Sequence, residues 1–572
     1  MDALTPVRAA GIATLLGFLS HVTLFIRLDL DAVSHRLLVL ANLAVILTPI
    51  ILYLRGHTVG DALYLSVILE FCYAASLLSS IGIYRTCLHP IRHYPGPFWA
   101  RVSVFWKVKQ FQQSKSRAFS VIDDAHRKYG NVVRLAPRQL SINEPAAYAT
   151  IYGFNSPCRR LKHLELLRPN LQSLSDPAEH GARRKVWDHG LSAKACQSYI
   201  PRINEITGQL CKQLTNFDSK PTVINAWCHR YTFDVMGDIG FGRSYGQLET
   251  GTTHPAITKV EDFLKAGVIA LQIIWVVNFL AMIPGLKDPM QDLGDWADQL
   301  LDERARRNAN EKTDSNKDLM SYVEESRKVV ETRWPMTEKD LREDAVTLQI
   351  AGSDTSYSVL VNMCHYLANY PELQAKVRAE VLETFPKDGE AAPLWSKLAS
   401  PQACPYLHAT IEEVMRRHTP VPMGTLRETP NYPMDIAGHT VPPKTVVSCP
   451  IWTMHYDERS FPRGNEFIPQ RWLDKSHPEA QPDLLLDKRG FVPFSAGPMN
   501  CAGKYFAYME VKLCFAHILR QFDVVFPGQK QNGKGDNGQA RRERDKRQVA
   551  GTKDYLTQWA AETEVCFLPL PQ

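Results

Sequence analysis

The sequence predicts a mainly α-helical protein with a smaller β portion, preceded by helices that span a membrane. Helical periodicity dominates from about 115 to 420, and this pattern predicts the helical body. From about 425 to 470, proline, glycine and β-branched residues become frequent, which is typical of strands and loops. Three apolar stretches of nearly bilayer length open the chain. We therefore expect a membrane anchor over 1–88, a proline-rich hinge over 89–114 and one large domain over 115–572.

Composition and charge narrow the class of protein. The 572 residues are 45% hydrophobic and 22% charged, which is typical of a globular chain, so disorder is expected only locally. The net charge of +6 is small and spread along the chain. We expect no nucleic-acid partner, because such a partner requires concentrated basic stripes. None of the twelve cysteines forms a CxxC pair, which suits a reducing compartment.

The anchor consists of up to three transmembrane helices, at about 9–26, 37–54 and 62–84. A cleaved signal peptide would explain only the first stretch, and the small-residue cleavage pattern is missing. Glu70 lies inside the third stretch and is costly in lipid, so the number of spans is less firmly predicted than the anchoring. If all three span, four arginines lie on one side and two on the other: Arg27, Arg36, Arg85 and Arg92 against Arg8 and Arg55. The positive-inside rule then places the large domain in the cytosol.

The hinge begins with the segment HPIRHYPGPFWA, His89–Ala100. Its three prolines forbid helix continuation and impose extended, stiff geometry. The segment therefore predicts a rigid spacer that fixes how the large domain sits on the membrane.

The clearest helix of the large domain begins at Thr337, where T-E-K-D predicts a capping box, and runs to Asn369 before Pro371. Its centre reads AGSDTS over Ala351–Ser356. A glycine and a buried aspartate are unfavourable inside a helix. A solvated face or a kink would explain them, but a functional break explains them better, because local rules tend to fail at functional sites.

Two segments near the carboxyl end have different characters. Residues 529–550 are rich in charges, glycine and amides, which predicts a flexible polar insertion. The closing stretch YLTQWAAETEVCFLPLPQ, Tyr555–Gln572, predicts a hairpin that returns to the core.

A loop that leads into a helix carries the string FSAGPMNCAGK, with Cys501 between two glycines. A buried cysteine is usually inert. At a helix N-terminus, however, amide donors and the positive end of the helix dipole stabilise a thiolate. Cys501 is therefore a candidate thiolate.

This loop resembles the haem-binding loop of the cytochrome P450 family, and the resemblance extends over most of the chain. The matching residues of the loop are Phe494, Gly497, Cys501 and Gly503. The resemblance implies the cytochrome P450 fold and haem b (iron protoporphyrin IX), with Cys501 as the axial iron ligand. A thiolate ligand pushes electron density onto iron and favours O–O cleavage.

The helix break resembles the family's oxygen-activation site. The resemblance implies that Ala351 and Gly352 let the helix pass close to the haem. It also implies that Asp354 and Thr355 are catalytic and relay protons to dioxygen.

The charged residues outside the helix break also match the family. Glu413 and Arg416 would alone indicate a surface salt bridge, but with Arg471 they resemble the family's buried structural cluster. The resemblance implies propionate donors at His180, Arg184 and Arg427. One departure is Met499, which stands where the family commonly has Arg or His and which cannot donate. Loss of Arg184 should therefore be especially damaging.

The family layout also implies partners. Arg183, Lys185, Lys488 and Lys504 would form a basic face that docks NADPH–cytochrome P450 reductase, with cytochrome b5 as a further candidate. NADPH and the flavins FAD and FMN would act only through that reductase. We expect a cytosol-facing enzyme of the endoplasmic reticulum membrane, a monooxygenase of a lipophilic small molecule. The motifs are similar to those of fungal members that act on secondary metabolites such as terpenoids, polyketides or indole alkaloids.

Two other functions fit the same haem. The first is an isomerase or dehydratase that rearranges a peroxide without a reductase; such members tend to lose the Asp-Thr pair. The second is a membrane haem protein without enzymatic activity, which would need no such pair. Consumption of NADPH through a reductase separates both of them from a monooxygenase.

Overall fold

The computed structural model describes residues 6–26, 30–166, 169–280, 282–283, 285, 289–310, 317–386, 392–529 and 538–570. The α-helices of this part are α1 Pro6–Ser20, α2 Leu30–Leu54, α3 Val59–Ile83, α4 Phe98–Val102, α5 Phe105–Gln113, α6 Ala118–Tyr129, α7 Pro145–Tyr152, α8 Pro177–Gly190, α9 Ala193–Asn216, α10 Ile224–Phe241, α11 Gln247–Thr250, α12 Pro255–Ala270, α13 Ile274–Leu280, α14 Pro289–Asn310, α15 Leu319–Val329, α16 Glu338–Asn369, α17 Pro371–Thr384, α18 Pro405–Arg417, α19 Ile451–His455, α20 Lys504–Gln521 and α21 Gly538–Gly551. The expected mainly helical fold is confirmed.

The strands of the described part are short and form small sheets. They are β1 Val132–Ala136, β2 Gln139–Ile142, β3 Thr222–Val223, β4 Arg427–Glu428, β5 Met434–Ile436, β6 His439–Val441, β7 Val446–Ser448, β8 Phe522–Val525, β9 Lys553–Tyr555, β10 Thr557–Trp559 and β11 Glu564–Pro569. One sheet has the order β1-β2-β7-β4, with β2 and β7 parallel, and another has the order β3-β11-β8. Two hairpins complete the β portion, β5-β6 and β9-β10. Strands β1 and β2 form an antiparallel hairpin.

Three helices at the start of the chain are long and apolar enough to cross a membrane: Pro6–Phe25, Val33–Leu54 and Val59–Leu88. The first and third pack against each other and share polar contacts. Tyr73 donates to Ser20 Oγ at 3.1 Å, and Ser76 donates to the Thr14 carbonyl at 2.7 Å. Such contacts join apolar helices where lipid supplies no partner.

The hinge is packed onto the large domain. Ile91 and Tyr94 are buried. The Tyr94 hydroxyl donates to the Thr440 carbonyl at 3.1 Å, and the Arg134 amide donates to the Pro95 carbonyl at 2.7 Å. The prolines stop the helix as expected, but the segment then covers β1 and the β5-β6 hairpin.

Helix α16 confirms the predicted span and its start. The Asp340 amide donates to Thr337 Oγ1 at 3.2 Å, and the Thr337 amide donates to Asp340 Oδ2 at 2.8 Å. This reciprocal pair is a capping box. The helix packs against α10, α14, α18 and α20, and it therefore runs through the core.

We expected a flexible insertion over 529–550, but this segment contains helix α21. The expectation is therefore wrong for Gly538–Gly551. Residues 530–537 lie outside the described part. Asp545 is buried and accepts from Asn369 Nδ2 at 2.7 Å and from the Tyr370 hydroxyl at 2.6 Å. Its other contact is His365 Nε2 at 3.2 Å. The sequence misled because Asp545 and Gln548 of α21 are buried and bind polar groups of α16, while the remaining polar face of the helix is exposed.

We expect Asp545→Ala to lower the thermal unfolding midpoint, because the variant leaves buried donors of α16 without an acceptor. An unsatisfied buried donor costs about 1–3 kcal/mol. Glu543→Ala is the control, because Glu543 lies on the exposed face of the same helix, where its ion pair with Lys546 contributes little. Equal midpoints for the two variants, measured by circular dichroism, would show that α21 is not docked.

The carboxyl-terminal segment is not a single hairpin. Strand β10 pairs with β9, whereas β11 pairs with β3 and β8. The sequence pattern predicted the strands but not their partners, since pairing depends on elements far away in the chain.

Candidate active site

The loop before α20 is held in shape by its own backbone. The Cys501 amide donates to the Phe494 carbonyl at 2.9 Å, and the Asn500 amide donates to the Gly497 carbonyl at 3.1 Å. Gly497 has a φ of +70°, and a Cβ there would lie 2.1 Å from the carbonyl oxygen of Tyr152 in α7. Only glycine fits this position. The loop is therefore fixed against α7.

The thiol of Cys501 faces an open space inside the protein. Cys501 has exposed surface, but many protein atoms surround its thiol, and this burial raises the pKa of the thiol. The exposed surface therefore does not face bulk solvent. The Gly503 amide, Arg184 and Lys504 act in the opposite direction and lower that pKa. The expected stabilisation of the thiolate is thus present, but it is weaker than the effect of burial. A bound metal cation would stabilise the thiolate further, because a thiol that coordinates a metal loses its proton.

Helix α16 also leaves surface accessible in its middle. Ala351 is exposed although it lies in the middle of a helix whose next turns are buried. Thr355 is half-buried one turn later and donates its hydroxyl to the Ala351 carbonyl at 2.6 Å. The two residues share one face of the helix, since they are four positions apart.

Asp354 does not share that face, although the sequence pairs it with Thr355. Its side chain is fully buried and lies between α10 and the β9-β10 hairpin. Its Oδ1 lies 3.1 Å from His229 Nε2, and its Oδ2 accepts from Thr557 Oγ1 at 3.4 Å. Sequence reasoning missed His229, because no motif marks it.

Gly352 makes room for a side chain of α10, whereas the sequence predicted that it lets α16 pass close to the haem. A Cβ at this position would lie 2.4 Å from the sulfur of Met236 in α10. The glycine therefore lets α10 approach α16. Whether it also shapes the cofactor face stays a prediction.

Four basic side chains converge near the loop: His180 and Arg184 on α8, Arg427 on β4, and Arg160. Burial, followed by Arg160, Arg184 and Arg427, lowers the pKa of His180 to about 3. Burial, followed by Arg427 and Arg184, lowers the pKa of Arg160 to about 9. Sequence reasoning missed Arg160, because it lies in a segment without a motif.

Arg184 also ties α8 to the loop. It donates to the Asn500 carbonyl at 2.7 Å and to Asn500 Oδ1 at 3.2 Å, and it pairs with Asp188 at 2.7 Å. Arg160 donates to the carbonyls of Leu171 and Leu174. In the described part of the chain, neither Arg160 nor Arg427 has a hydrogen bond to a carboxylate. The cluster is therefore short of negative charge.

These residues fit a haem. Arg184 and Arg427 lower the pKa of both His180 and Arg160, which indicates that the cluster lacks anions, and the two propionates of haem would supply them. Cys501 and Ala351 have exposed surface, and Thr355 is half-buried, so the loop and helix α16 each leave surface that a bound group could contact. Among the described residues, no cluster of three or more His, Cys, Asp or Glu could hold a metal. One thiolate ligand suffices for an iron that a porphyrin already holds.

The structure brings together the three residues of the predicted structural cluster. Glu413 binds Arg416 at 2.8 Å and Arg471 at 3.2 Å, and all three side chains have no exposed surface. Burial would raise the pKa of Glu413, but Arg416 and Arg471 hold it below its usual value. The cluster joins α18 to the segment after α19 and touches none of the cationic residues near the loop.

The predicted basic face keeps three of its four members. Lys185, Lys488 and Lys504 are exposed. Arg183 is buried and pairs with Asp344 at 2.7 Å and with Asp340 at 3.2 Å, so its placement on the surface is wrong. Its carboxylate partners lie on α16, far away in the sequence, and no local pattern identifies them.

A sequence model of the cytochrome P450 family matches residues 95–545. The chain belongs to the cytochrome P450 family. The match covers the loop of Cys501, helix α16, the Glu413 cluster and most of the remaining domain. The family implies haem iron, a redox partner and a small-molecule substrate.

Curated relatives agree with this assignment. A cytochrome P450 monooxygenase of Fusarium pseudograminearum is 32% identical over 89% of this chain and 90% of its own. Tryprostatin B 6-hydroxylases are similar: that of Neosartorya fischeri is 30% identical over 82% and 83%, and that of Aspergillus fumigatus is 31% identical over 80% and 79% of the two chains. This P450 is thus a monooxygenase, and its relatives are fungal.

Proposed function

We propose that this P450 is anchored in the endoplasmic reticulum membrane by its amino-terminal helices, with the catalytic domain in the cytosol. It receives electrons from NADPH through NADPH–cytochrome P450 reductase and its FAD and FMN, with cytochrome b5 as a second donor. The three apolar helices support the anchoring. Lys185, Lys488 and Lys504 support docking, because exposed cations attract an acidic donor.

Cys501 is the proposed iron ligand, and Phe494, Gly497 and Gly503 shape the loop that presents it. The open space beside its thiol is the observation that carries the proposal. His180, Arg184, Arg427 and Arg160 hold the propionates. When bound, haem supplies the iron at which dioxygen is activated and from which one oxygen atom is transferred to the substrate.

Thr355 and Asp354 are the proposed catalytic residues. The Thr355 hydroxyl lies on the face of α16 that borders the open space, where it orients a proton donor. Asp354 is buried on an adjacent face and supplies the proton. Ala351 leaves room above the cofactor.

The proposed substrate is a lipophilic fungal secondary metabolite of the terpenoid, polyketide or indole alkaloid type, and an indole alkaloid is the first to test. The names of two relatives give the hydroxylation of tryprostatin B. The test is product analysis, by mass spectrometry, of cells that express the full chain with a reductase and are fed tryprostatin B or a fungal extract. An oxygenated product that requires both the chain and NADPH supports the proposal. Turnover of a peroxide without a reductase would overturn it.

We expect Arg184→Gln and Arg160→Gln to lower haem retention, with the larger effect for Arg184, because it also holds the Asn500 carbonyl. A charge-assisted hydrogen bond contributes about 1.5–3 kcal/mol, so each loss weakens retention by roughly tenfold or more. The measurement is the ratio of haem absorbance to protein after gel filtration. Arg159→Gln is the matched control, because Arg159 is exposed beside Arg160. Full haem content in both site variants would contradict the assignment.

A further inference from the structure

We propose that His229 is a positioning residue for the oxidation: it holds the Asp354 carboxylate and returns to it the proton that each turnover removes. This inference rests on the proposed function, since it gives the Asp354 relay its source of protons. It concerns a residue on α10 that no sequence motif marks.

The geometry joins three separate elements at Asp354. His229 Nε2 on α10 lies 3.1 Å from Oδ1, and Thr557 of β10 donates to Oδ2 at 3.4 Å. Both carboxylate oxygens therefore have a partner outside α16. Asp354 is held away from Thr355, so any proton that it gives up is replaced from the side of α10 or the hairpin.

The exposed fractions of His229 and Asp354 indicate from which side the proton of Asp354 is replaced. The side chain of Asp354 is 1% exposed, whereas that of His229 is 9% exposed. Water thus reaches the imidazole more readily than the carboxylate. Thr557 is buried as well, and its hydroxyl already donates to Asp354.

The surroundings hold the imidazole ring in place. The ring centroid of His229 lies 4.9 Å from that of Tyr357 and 5.7 Å from that of Trp559. Tyr357 is an ionisable group that packs against this ring, and burial raises the pKa of its hydroxyl, so it keeps its proton. Asp354 is therefore the group to which the imidazole passes a proton.

The proton transfer is balanced among Asp354, His229 and water. Asp354 gives one proton towards the face of Thr355, His229 passes its Nε2 proton to Asp354 Oδ1, and Nδ1 takes a proton from water. The carboxyl group ends as it began, and the imidazole ends as its Nδ1–H tautomer. Exchange of its ring protons with water restores the Nε2–H form before the next turnover. An imidazole suits this role, because its two nitrogens accept and donate near neutral pH.

The test compares His229→Gln, Asp354→Asn and their double variant with the wild-type full chain, in membranes with the reductase. Glutamine keeps a donor for Asp354 but does not carry a proton. We measure NADPH oxidation in ordinary and heavy water, without added substrate. We expect His229→Gln to slow it by about a hundredfold, at the low end for acid–base groups, and to raise the solvent isotope effect. The double variant should be no slower than the slower single variant, because both residues act in one path.

The matched control is His365→Gln. His365 and Asp545 form a second buried His-Asp pair on the same helix, at 3.2 Å, more than two turns beyond Asp354. A purely structural role predicts that both glutamine variants lose stability and activity alike. We expect His365→Gln to keep the wild-type rate of NADPH oxidation and the wild-type isotope effect.

A readout without turnover tests the pair itself. In infrared spectra of the resting protein, the carboxyl bands that disappear in Asp354→Asn should shift in His229→Gln and stay in place in His365→Gln. A wild-type rate in His229→Gln, or an equal loss in His365→Gln, would overturn the role of His229 and leave the monooxygenase untouched. Absence of reductase-dependent NADPH oxidation in the wild type would instead overturn the proposed electron supply, and the relay with it.

Discussion

Cys501→Ala is expected to give a folded protein that retains no thiolate-ligated haem. Alanine removes the sulfur, while the loop keeps its backbone hydrogen bonds from Cys501 to Phe494 and from Asn500 to Gly497. The measurement is the absorption spectrum of the reduced protein under carbon monoxide. The Soret band typical of a thiolate ligand should disappear, and monooxygenase activity with it.

Cys514→Ala is the matched control, because Cys514 is a buried cysteine of α20, the helix that follows the Cys501 loop. It should keep the wild-type spectrum with a small loss of stability. A thiolate Soret band in Cys501→Ala, or its loss in Cys514→Ala alone, would contradict the assignment of the ligand.

Glu413→Gln is expected to have the largest effect on stability. Removing the carboxylate charge leaves Arg416 and Arg471 facing each other with no exposed surface. Breaking a buried ion pair from one side costs about 3–5 kcal/mol. Because domains are stable by only about 5–15 kcal/mol, much of the protein should then be unfolded or degraded. The measurement is urea unfolding followed by tryptophan fluorescence.

The control for this variant is Glu466→Gln. Glu466 pairs with Arg463 at the same spacing of three residues, but both side chains are more than half exposed. An exposed pair contributes about 0–1 kcal/mol, because water screens it. Similar unfolding midpoints in the two variants would show that the Glu413 cluster carries no special share of the stability.

The candidate site was only partly predictable. The sequence identified Cys501, Thr355 and Arg184, because each lies in a motif whose spacing reflects one local element. It did not identify Arg160 or His229, which belong to a loop and a helix without motifs. Both became visible only when folding brought them beside a cationic cluster or a buried carboxylate.

Local sequence determined what depends on neighbours along the chain. It determined the three apolar helices, the capping box at Thr337 and the loop that carries Cys501, because burial period, end caps and glycine conformation act within a few residues. It also gave the family, whose motifs are local.

Tertiary structure decided which polar groups are buried together. It buried Arg183 against Asp344, docked the charged helix α21 on α16, and turned Asp354 away from Thr355 towards His229. A charged residue has the same local pattern on a surface as in a buried pair. The difference is the partner, which comes from a distant part of the chain and compensates for the loss of water.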